Sequence, residues 1–473
     1  MERALFLVPP TGAYIREDRC QSATAGLLLH TIREPADLAI CAAVLESAGW
    51  ECSILDAQAE GLPRRAALER IRSRAPRLIV IQTTVPSLAG DAGFVREVRR
   101  ELSSVEVAAW GADFDLAPGS SLESLPEFDA ILYERPEDSL SRFAAAGAWD
   151  TVPGAAWRRE GAVRVNSASP VAPSLDPEIR PARHLLDHGL YTRSDTGAPQ
   201  AVVVAGRGCP FECSYCLAPR KSGRRVWLRE PGSVVRELRD CVERFGISDF
   251  LLHADTFTVD RGWVRSLCRG IVDSGLRVRW VCNSRADTVD PELLGWMRGA
   301  GCWGVSLGLE SGSDETLRLA RKGHTVSQSA RAVRLLRDRG ILSLGYLMIG
   351  FPWEDEGRIL RSFEGLLRVD PDLLEITFPA PFPGTALRRD LERSGMTVDE
   401  RGIAGAYSLP AIAGGPVPAG RLLALRRELL NRFYCRPRAA ARCIGHFGRA
   451  GSLRGLARAA WRLIDNGWRG LYR

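Results

Sequence analysis

The stretch from Gly206 to Arg220, GRGCPFECSYCLAPR, decides how the rest of the chain is read. It spaces Cys209, Cys213 and Cys216 as C-x3-C-x2-C on a loop broken by glycine and proline. The apolar run AVVVA immediately before it, residues 201–205, reads as a buried strand. Three thiolates so close on one loop can face one point and hold three irons of a cubane 4Fe–4S cluster. A ferredoxin set supplies a fourth cysteine, and none lies nearby, so one iron is left open to a ligand that is not protein. A structural zinc site and three unrelated buried cysteines are the alternatives. Zinc more often takes paired C-x2-C units and a fourth Cys or His.

The pattern resembles the radical S-adenosylmethionine (SAM) superfamily, and Tyr215 stands where that family contacts adenine. The resemblance implies that the open iron chelates the amino and carboxylate groups of SAM. It further implies that an electron from the reduced cluster splits the sulfonium to give a 5′-deoxyadenosyl radical. Downstream, strand and helix signals alternate: strands over 250–253, 278–282, 303–307, 342–349 and 373–378, with helices over 231–245, 263–274, 291–300, 327–339 and 356–367. With the strand before the cysteines this makes the partial (β/α)6 barrel of the superfamily, expected over 196–390, where function gathers at the C-terminal strand ends.

Those strand ends carry phrases similar to the family's cofactor contacts, in order. HADTF (253–257) resembles the phrase that receives the methionine ammonium; Asp255 matches, while Ala254 replaces a first Asp. In NSRAD (283–287), Ser284 and Arg285 are implied to bind the methionine carboxylate, where a guanidinium fork suits planar oxygens. In GLESG (308–312), Glu310 is implied to reach the ribose hydroxyls, and Lys322 follows in RKGHT (321–325). In LMIGFP (347–352), the backbone at Ile349 would flank the adenine, and PFPGT (381–385) would be a substrate-side loop. His253 and His324 are two of only six histidines; His253 could face substrate, although a hydrogen-bonded structural histidine is the plainer reading. Cys241, Cys268, Cys282 and Cys302 lack ligand spacing and are expected in the core.

Over residues 1–150 strands alternate with helices, which predicts a doubly wound parallel sheet, an α/β fold whose ligands bind at the C-terminal strand ends. Strands are expected over 4–8, 52–55, 78–82, 105–110 and 130–133, and helices over 36–47, 63–73 and 93–102. The phrase EPADLAICAAVLESAGWECSILDA resembles the cobalamin-binding domain that precedes the radical domain in one branch of the superfamily. That branch usually has Gly-Gly after the fourth strand, where this chain has Gly111 and Ala112. It usually has Gly-Glu after the fifth, where this chain reads YERPE (133–137). No Asp-x-His-x-x-Gly motif is present. The resemblance implies bound cobalamin; a retained scaffold with a closed site is the alternative, because side chains at such turns can bar a bulky ligand. The polar hexamer REDRCQ (16–21) reads as a solvated loop, or as the lining of a substrate entrance. Residues 151–195, rich in Pro, Ala and Arg, read as a linker packed on the surface.

Residues 391–473 are expected to form a helical cap, with amphipathic helices over 421–433 and 452–468. Leu422, Leu425, Leu429 and Phe433 share one face of the first. The phrase RFYCRP (432–437) resembles the helical ending of the cobalamin-type family; a membrane-surface helix or an anionic-partner patch are the other readings. Cys435 and Cys443 are spaced too widely to argue a second cluster.

The chain of 473 residues carries 64 Lys and Arg against 57 Asp and Glu, a formal charge of +7, with 45% hydrophobic residues. These are the proportions of a soluble multidomain protein. No signal peptide and no transmembrane run are expected, and twelve cysteines in such a chain point to reduced thiols and metal in the cytoplasm. The resemblance implies an enzyme that uses a 4Fe–4S cluster and SAM to abstract hydrogen from an unactivated carbon of a small molecule. An electron donor is required: a flavodoxin, a ferredoxin or a dedicated reductase. With cobalamin the implied outcome is C-methylation, in antibiotic or secondary-metabolite assembly. Without it, the implied outcome is radical dehydration of a sugar diol, as in aminoglycoside biosynthesis. A cobalamin or iron–sulfur sensor with a nucleic-acid-binding tail is the non-enzymatic reading, and helix-turn-helix or zinc-finger signatures for it are absent.

Overall fold

The computed structural model describes residues 2–17, 22–23, 32–168, 180–193 and 195–449. They form two compact units, one from described residues within 1–22 and 32–190, the other chiefly from those within 191–473.

In the first unit the strands β1 (Arg3–Val8), β2 (Glu51–Asp56), β3 (Leu78–Thr83), β4 (Glu106–Gly111) and β5 (Ala130–Leu132) alternate with helices. These helices are α1 (Ala36–Ser47), α2 (Arg64–Arg74), α3 (Leu88–Glu101), α4 (Pro118–Ser124) and α5 (Pro136–Ala146). The parallel strands lie in the order β2-β1-β3-β4-β5. Successive side chains of a strand point to opposite faces, and β1 divides its residues accordingly. Ala4, Phe6 and Val8 pack with Leu38, Leu45 and Phe143. Leu5 and Leu7 pack with Ile71 and Phe94 on the other face. Both faces are covered by helices, as in a doubly wound sheet.

Two elements depart from the sequence reading. The segment expected to be a linker from 151 supplies β6 (Ala155–Arg159) and β7 (Ala162–Val165), an antiparallel hairpin that extends the sheet beyond β5. Its turn is Glu160-Gly161, both with positive φ (52° and 80°). That is the backbone of a tight primed hairpin turn, whose twist matches its strands. Three arginines in nine residues masked the alternation. Helix α3 also begins at Leu88, five residues before the expected start at 93.

The second unit is an open parallel sheet of six strands in sequence order: β8 (Gln200–Val204), β9 (Asp249–His253), β10 (Arg279–Ser284), β11 (Cys302–Glu310), β12 (Leu342–Met348) and β13 (Leu373–Thr377). The intervening helices are α6 (Pro231–Phe245), α7 (Arg261–Asp273), α8 (Pro291–Gly299), α9 (Val326–Asp338) and α10 (Glu356–Val369). Their starts are written locally. Glu230, Asp260, Asp290, Thr325 and Asp355 each accept a hydrogen bond from backbone N–H groups of the first turn, and Pro231 and Pro291 open two of them. Cys241, Cys268, Cys282 and Cys302 are buried in the core, as expected.

Helix α11 (Ala419–Tyr434) buries Leu422, Leu425, Leu429 and Phe433 in that same core. The Tyr434 hydroxyl accepts from the Leu374 N–H at 3.0 Å and donates to the Leu374 carbonyl at 2.8 Å. It thereby satisfies backbone groups of β13, which is the edge strand. Helix α12 (Pro437–Arg449) follows; the helix expected over 452–468 lies outside the described residues. Cys435 is exposed, and no helix among the described residues is long and apolar enough to cross a membrane.

Candidate cluster and cofactor site

The cysteine loop leaves the C-terminal end of β8 and is held by backbone contacts. The Cys209 N–H donates to the Gly223 carbonyl at 3.0 Å, the Ser214 N–H to the Ala320 carbonyl at 3.0 Å, and the Cys216 N–H to the Cys213 carbonyl at 3.2 Å. Asp255, just past β9, accepts from the Gly208 N–H at 2.7 Å. Gly208 has φ +92°, and a Cβ there would lie 2.0 Å from the Arg225 carbonyl oxygen, so the turn admits only glycine. Asp255 thus anchors the loop that carries the cysteines.

Each sulfur has a hydrogen-bonding neighbour. The Ala218 N–H donates to Cys216 Sγ at 3.4 Å, Cys209 Sγ lies 3.5 Å from Thr256 Oγ1, and Arg285 Nη1 donates to Cys213 Sγ at 3.6 Å. Among the described residues no three Cys, His, Asp or Glu side chains converge as ligands of one metal ion. A cubane binds each cysteine to a different iron, so its thiolates stand further apart than the ligands of one zinc. Three thiolates with no fourth cysteine on the loop suit a cluster with one open iron.

Two buried ion pairs flank the loop. Arg285 donates from Nε and Nη2 to Asp287 at 2.9 Å each, from Nη2 to the Lys322 carbonyl at 2.6 Å, and its Cζ stacks 3.6 Å from the Phe211 ring centroid. Burial pulls its pKa down, and Asp287 more than offsets this, so it stays charged. Lys322 Nζ donates to Glu310 Oε1 at 2.9 Å and to Tyr215 Oη at 3.4 Å. Burial disfavours this ammonium also, and Glu310 with Cys213 carries its pKa above the usual value. Burial and then Glu310 push the Tyr215 phenol well up, so it remains protonated. Glu310 sits at φ +61°, where a register shift ends the pairing of β11 with β12. This backbone turns its carboxylate back over Gly308, whose missing Cβ would lie 2.4 Å from Glu310 Oε1 and 2.7 Å from Lys322 Nζ.

Ser284 ends β10, is buried, and hydrogen-bonds Thr258 and Thr288. The Ile349 N–H donates to the Thr377 carbonyl at 3.0 Å. Phe351 lies beside Tyr215, centroids 6.0 Å apart, and stacks on Trp353. His253 is buried at the end of β9. The His324 side chain is fully enclosed 3.9 Å from Asp287, and neither ring nitrogen has a hydrogen-bond partner. Burial, Lys322 and Arg285 lower its pKa to about 3, so it is neutral. The neutral ring and the Ser214 hydroxyl are orphaned buried polar groups in this unit, as a site shaped for a polar ligand requires.

Sequence reasoning did not single out Phe211, Asp287 or Glu354. The loop after β12 is pinned by Glu354, which accepts from the N–H groups of Gly350 (3.1 Å) and Phe351 (3.2 Å) and from the Thr316 hydroxyl (3.2 Å). Burial pushes its pKa up from 4.5 to about 7. Between those values the folded chain keeps a proton that the unfolded chain has released, so stability falls as pH rises through that window, by up to about 3 kcal/mol. Gln at 354 keeps an acceptor for both amides and cannot ionise. The unfolding midpoint of the native chain should therefore drop relative to Glu354→Gln between pH 5 and pH 8. Parallel curves would show an ionised carboxylate throughout.

In the first unit, the sheet order switches between β1 and β3, the crevice where doubly wound sheets take ligands. Arg16 lies there, contrary to the solvated-loop reading of 16–21; residues 18–21 lie outside the described residues. Its Nη1 donates to the Gln82 carbonyl (2.6 Å), Ser87 Oγ (3.1 Å) and Asp91 Oδ2 (2.7 Å), and its Nη2 to Asp91 Oδ1 (3.0 Å). Arg16 Nε is buried and has no partner. At the end of β4, Gly111 (φ +94°) would place a Cβ 2.1 Å from the Thr83 carbonyl oxygen, and Ala112, fully buried, follows at φ +43°. Gly111 is thus required by the close approach of β3, and in the neighbouring crevice Arg16 Nε is the orphaned donor that a polar ligand would meet.

Residues 203–364 match the family model described as the radical SAM superfamily. The chain is similar to an uncharacterized methyltransferase of Pyrococcus horikoshii, 27% identical over 393 residues, covering 81% of this chain and 82% of that protein. It is also similar to the anaerobic magnesium-protoporphyrin IX monomethyl ester cyclase of Cereibacter sphaeroides, 26% identical over 369 residues, 76% of this chain and 60% of that one. Among solved structures it resembles the radical SAM methyltransferase TsrM of Kitasatospora setae, determined with cobalamin and a 4Fe–4S cluster. The TM-score is 0.65 at 21% identity, over 83% of this chain and 75% of that one. Residues 203–364 make the chain an enzyme of the radical SAM type, and its fold is similar to that of TsrM. Its cofactors are accordingly a 4Fe–4S cluster and SAM.

Proposed function

We propose that this enzyme is a cobalamin-dependent methyltransferase acting on an unactivated carbon of a small molecule. The observation that carries the radical chemistry is the three-cysteine loop, anchored by Asp255 and flanked by the Arg285–Asp287 and Lys322–Glu310 pairs. Cys209, Cys213 and Cys216 would hold the cluster, which when bound would supply the electron for SAM cleavage. The chain's own part is positional. Tyr215, Phe351 and the Ile349 carbonyl would hold the adenine, Glu310 the ribose hydroxyls, and Ser284 with Asp255 the methionine end. Closely held geometry matters because a carbon radical is indiscriminate. Cobalamin, held at Arg16, Gly111 and Ala112, would supply the methyl group. The names of the relatives support methyl transfer, and the likeness of the fold to TsrM with bound cobalamin supports the corrinoid. The electron comes from a flavodoxin, a ferredoxin or a dedicated reductase, and we place the enzyme in the cytoplasm.

One observation favours a second reading, dehydration of a sugar diol without cobalamin: Arg16 and Asp91 already fill much of the crevice. The test is anaerobic reconstitution with iron and sulfide, incubation with hydroxocobalamin, desalting and a visible spectrum. Near-stoichiometric corrinoid is expected on the native chain. A cluster spectrum without corrinoid would leave the first unit as scaffold and send the search to hydroxylated sugars.

A further inference from the structure

We propose that Arg285 acts on the cluster itself, donating to Cys213 Sγ and raising the cluster's reduction potential before any SAM binds. The inference rests on Cys209, Cys213 and Cys216 being the cluster ligands. A guanidinium has five N–H donors, and the bonds to Asp287 Oδ1, Asp287 Oδ2, the Lys322 carbonyl and Cys213 Sγ commit four of them. The Nε–Nη2 edge that would grip a carboxylate side-on is already closed by Asp287. A single N–H remains, so the residue is poorly equipped as the carboxylate fork for SAM. It is well equipped as a brace: buried, stacked on Phe211 from within the cysteine loop, and ion-paired on its far edge.

The electrostatics have a sign. Reduction adds negative charge to the cluster. The guanidinium meets Cys213 Sγ at 3.6 Å, while the Asp287 carboxylate is held on the opposite edge of the fork. Coulomb energy falls with distance, so the nearer positive charge outweighs the farther negative one and favours the reduced state. The N–H···S bond acts in the same direction by drawing electron density from the thiolate, and hydrogen bonds to the sulfurs are among the terms that set such potentials. Lys322, the other cation that interacts with Cys213, adds to the effect and is tied to Glu310.

The experiment is a redox titration of the reconstituted full chain without SAM, followed by electron paramagnetic resonance, with SAM affinity measured separately by equilibrium dialysis. Arg285→Gln should weaken reduction tenfold or more, a fall of at least 59 mV for a one-electron couple. Arg285→Lys keeps the charge and should recover part of that fall. Asp287→Asn removes the far negative charge while keeping an acceptor for Nε, and should shift the potential upward. A residue that only supports the fold would not give opposite signs at 285 and 287. Unchanged SAM-free potentials in all three variants, with weaker SAM binding in Arg285→Gln, would overturn the inference and leave Arg285 as a carboxylate ligand. A native chain that assembles no low-potential cluster would overturn the reading of the three cysteines, and the inference with it. Should Arg285→Gln prove unfolded by circular dichroism, the Asp287→Asn shift decides the matter.

Discussion

Cys213→Ala is expected to abolish the broad visible absorbance of the reconstituted cluster and to take SAM cleavage below detection. The apoprotein should stay folded. Cys213 lies on a half-buried loop tied down by backbone hydrogen bonds around it, so removing one sulfur costs about 1 kcal/mol. An iron left without its thiolate has no protein substitute, because no fourth cysteine shares the loop. Cys241→Ala makes the opposite control. That thiol is fully buried in the core behind β8. Its loss should lower stability by roughly 1–2 kcal/mol and leave the cluster spectrum intact. A full cluster on the Cys213 variant would mean that the loop is not the ligand set.

The second large effect belongs to Lys322. Lys322→Met removes the ammonium from a pair whose side chains are 7% and 8% exposed. A buried carboxylate without its partner costs ~3–5 kcal/mol, read as a lowered urea or thermal midpoint. The double variant Glu310→Leu with Lys322→Met should recover most of that loss, since an apolar pair removes the uncompensated charge. SAM affinity should not recover with it, because the double variant lacks the proposed ribose contact of Glu310. If stability and SAM binding return together, Glu310 is a structural partner of Lys322 and nothing more.

Much of this site can be read from the sequence because its chemistry is local. Three cysteines within eight residues, and a polar phrase after each apolar run, need no knowledge of the fold to be noticed. What escaped is what depends on distant partners. Phe211 looks like an ordinary loop aromatic until Arg285, far along the chain, lies against its face. Asp287 looks like a turn residue until it is seen to close the guanidinium fork. Glu354 follows a proline and a tryptophan in what reads as a polar loop, and its burial is visible only in three dimensions. The hairpin at 155–165 was hidden for a different reason. Its strands, AAWRR and AVRV, carry three arginines that break the apolar alternation, and its strongest signal is a single Glu-Gly turn. Arg16 was misplaced because polar neighbours made its segment look solvated, while the carboxylate that buries it comes from the first turn of α3.

Gly308 sets an order on the substitutions this site can accumulate. A methyl group at that position would land among the carboxylate and ammonium of Glu310 and Lys322 and force two buried charges apart. While the pair stands, a side chain at 308 must displace its charged ends. Once the pair has been replaced, the space beside 308 can be filled by larger side chains, and a lineage that has filled it cannot regain the ion pair by changing 310 and 322 alone. The glycine therefore works as a ratchet in the history of the site. It keeps the path back to the charged arrangement open only for chains that have left it bare.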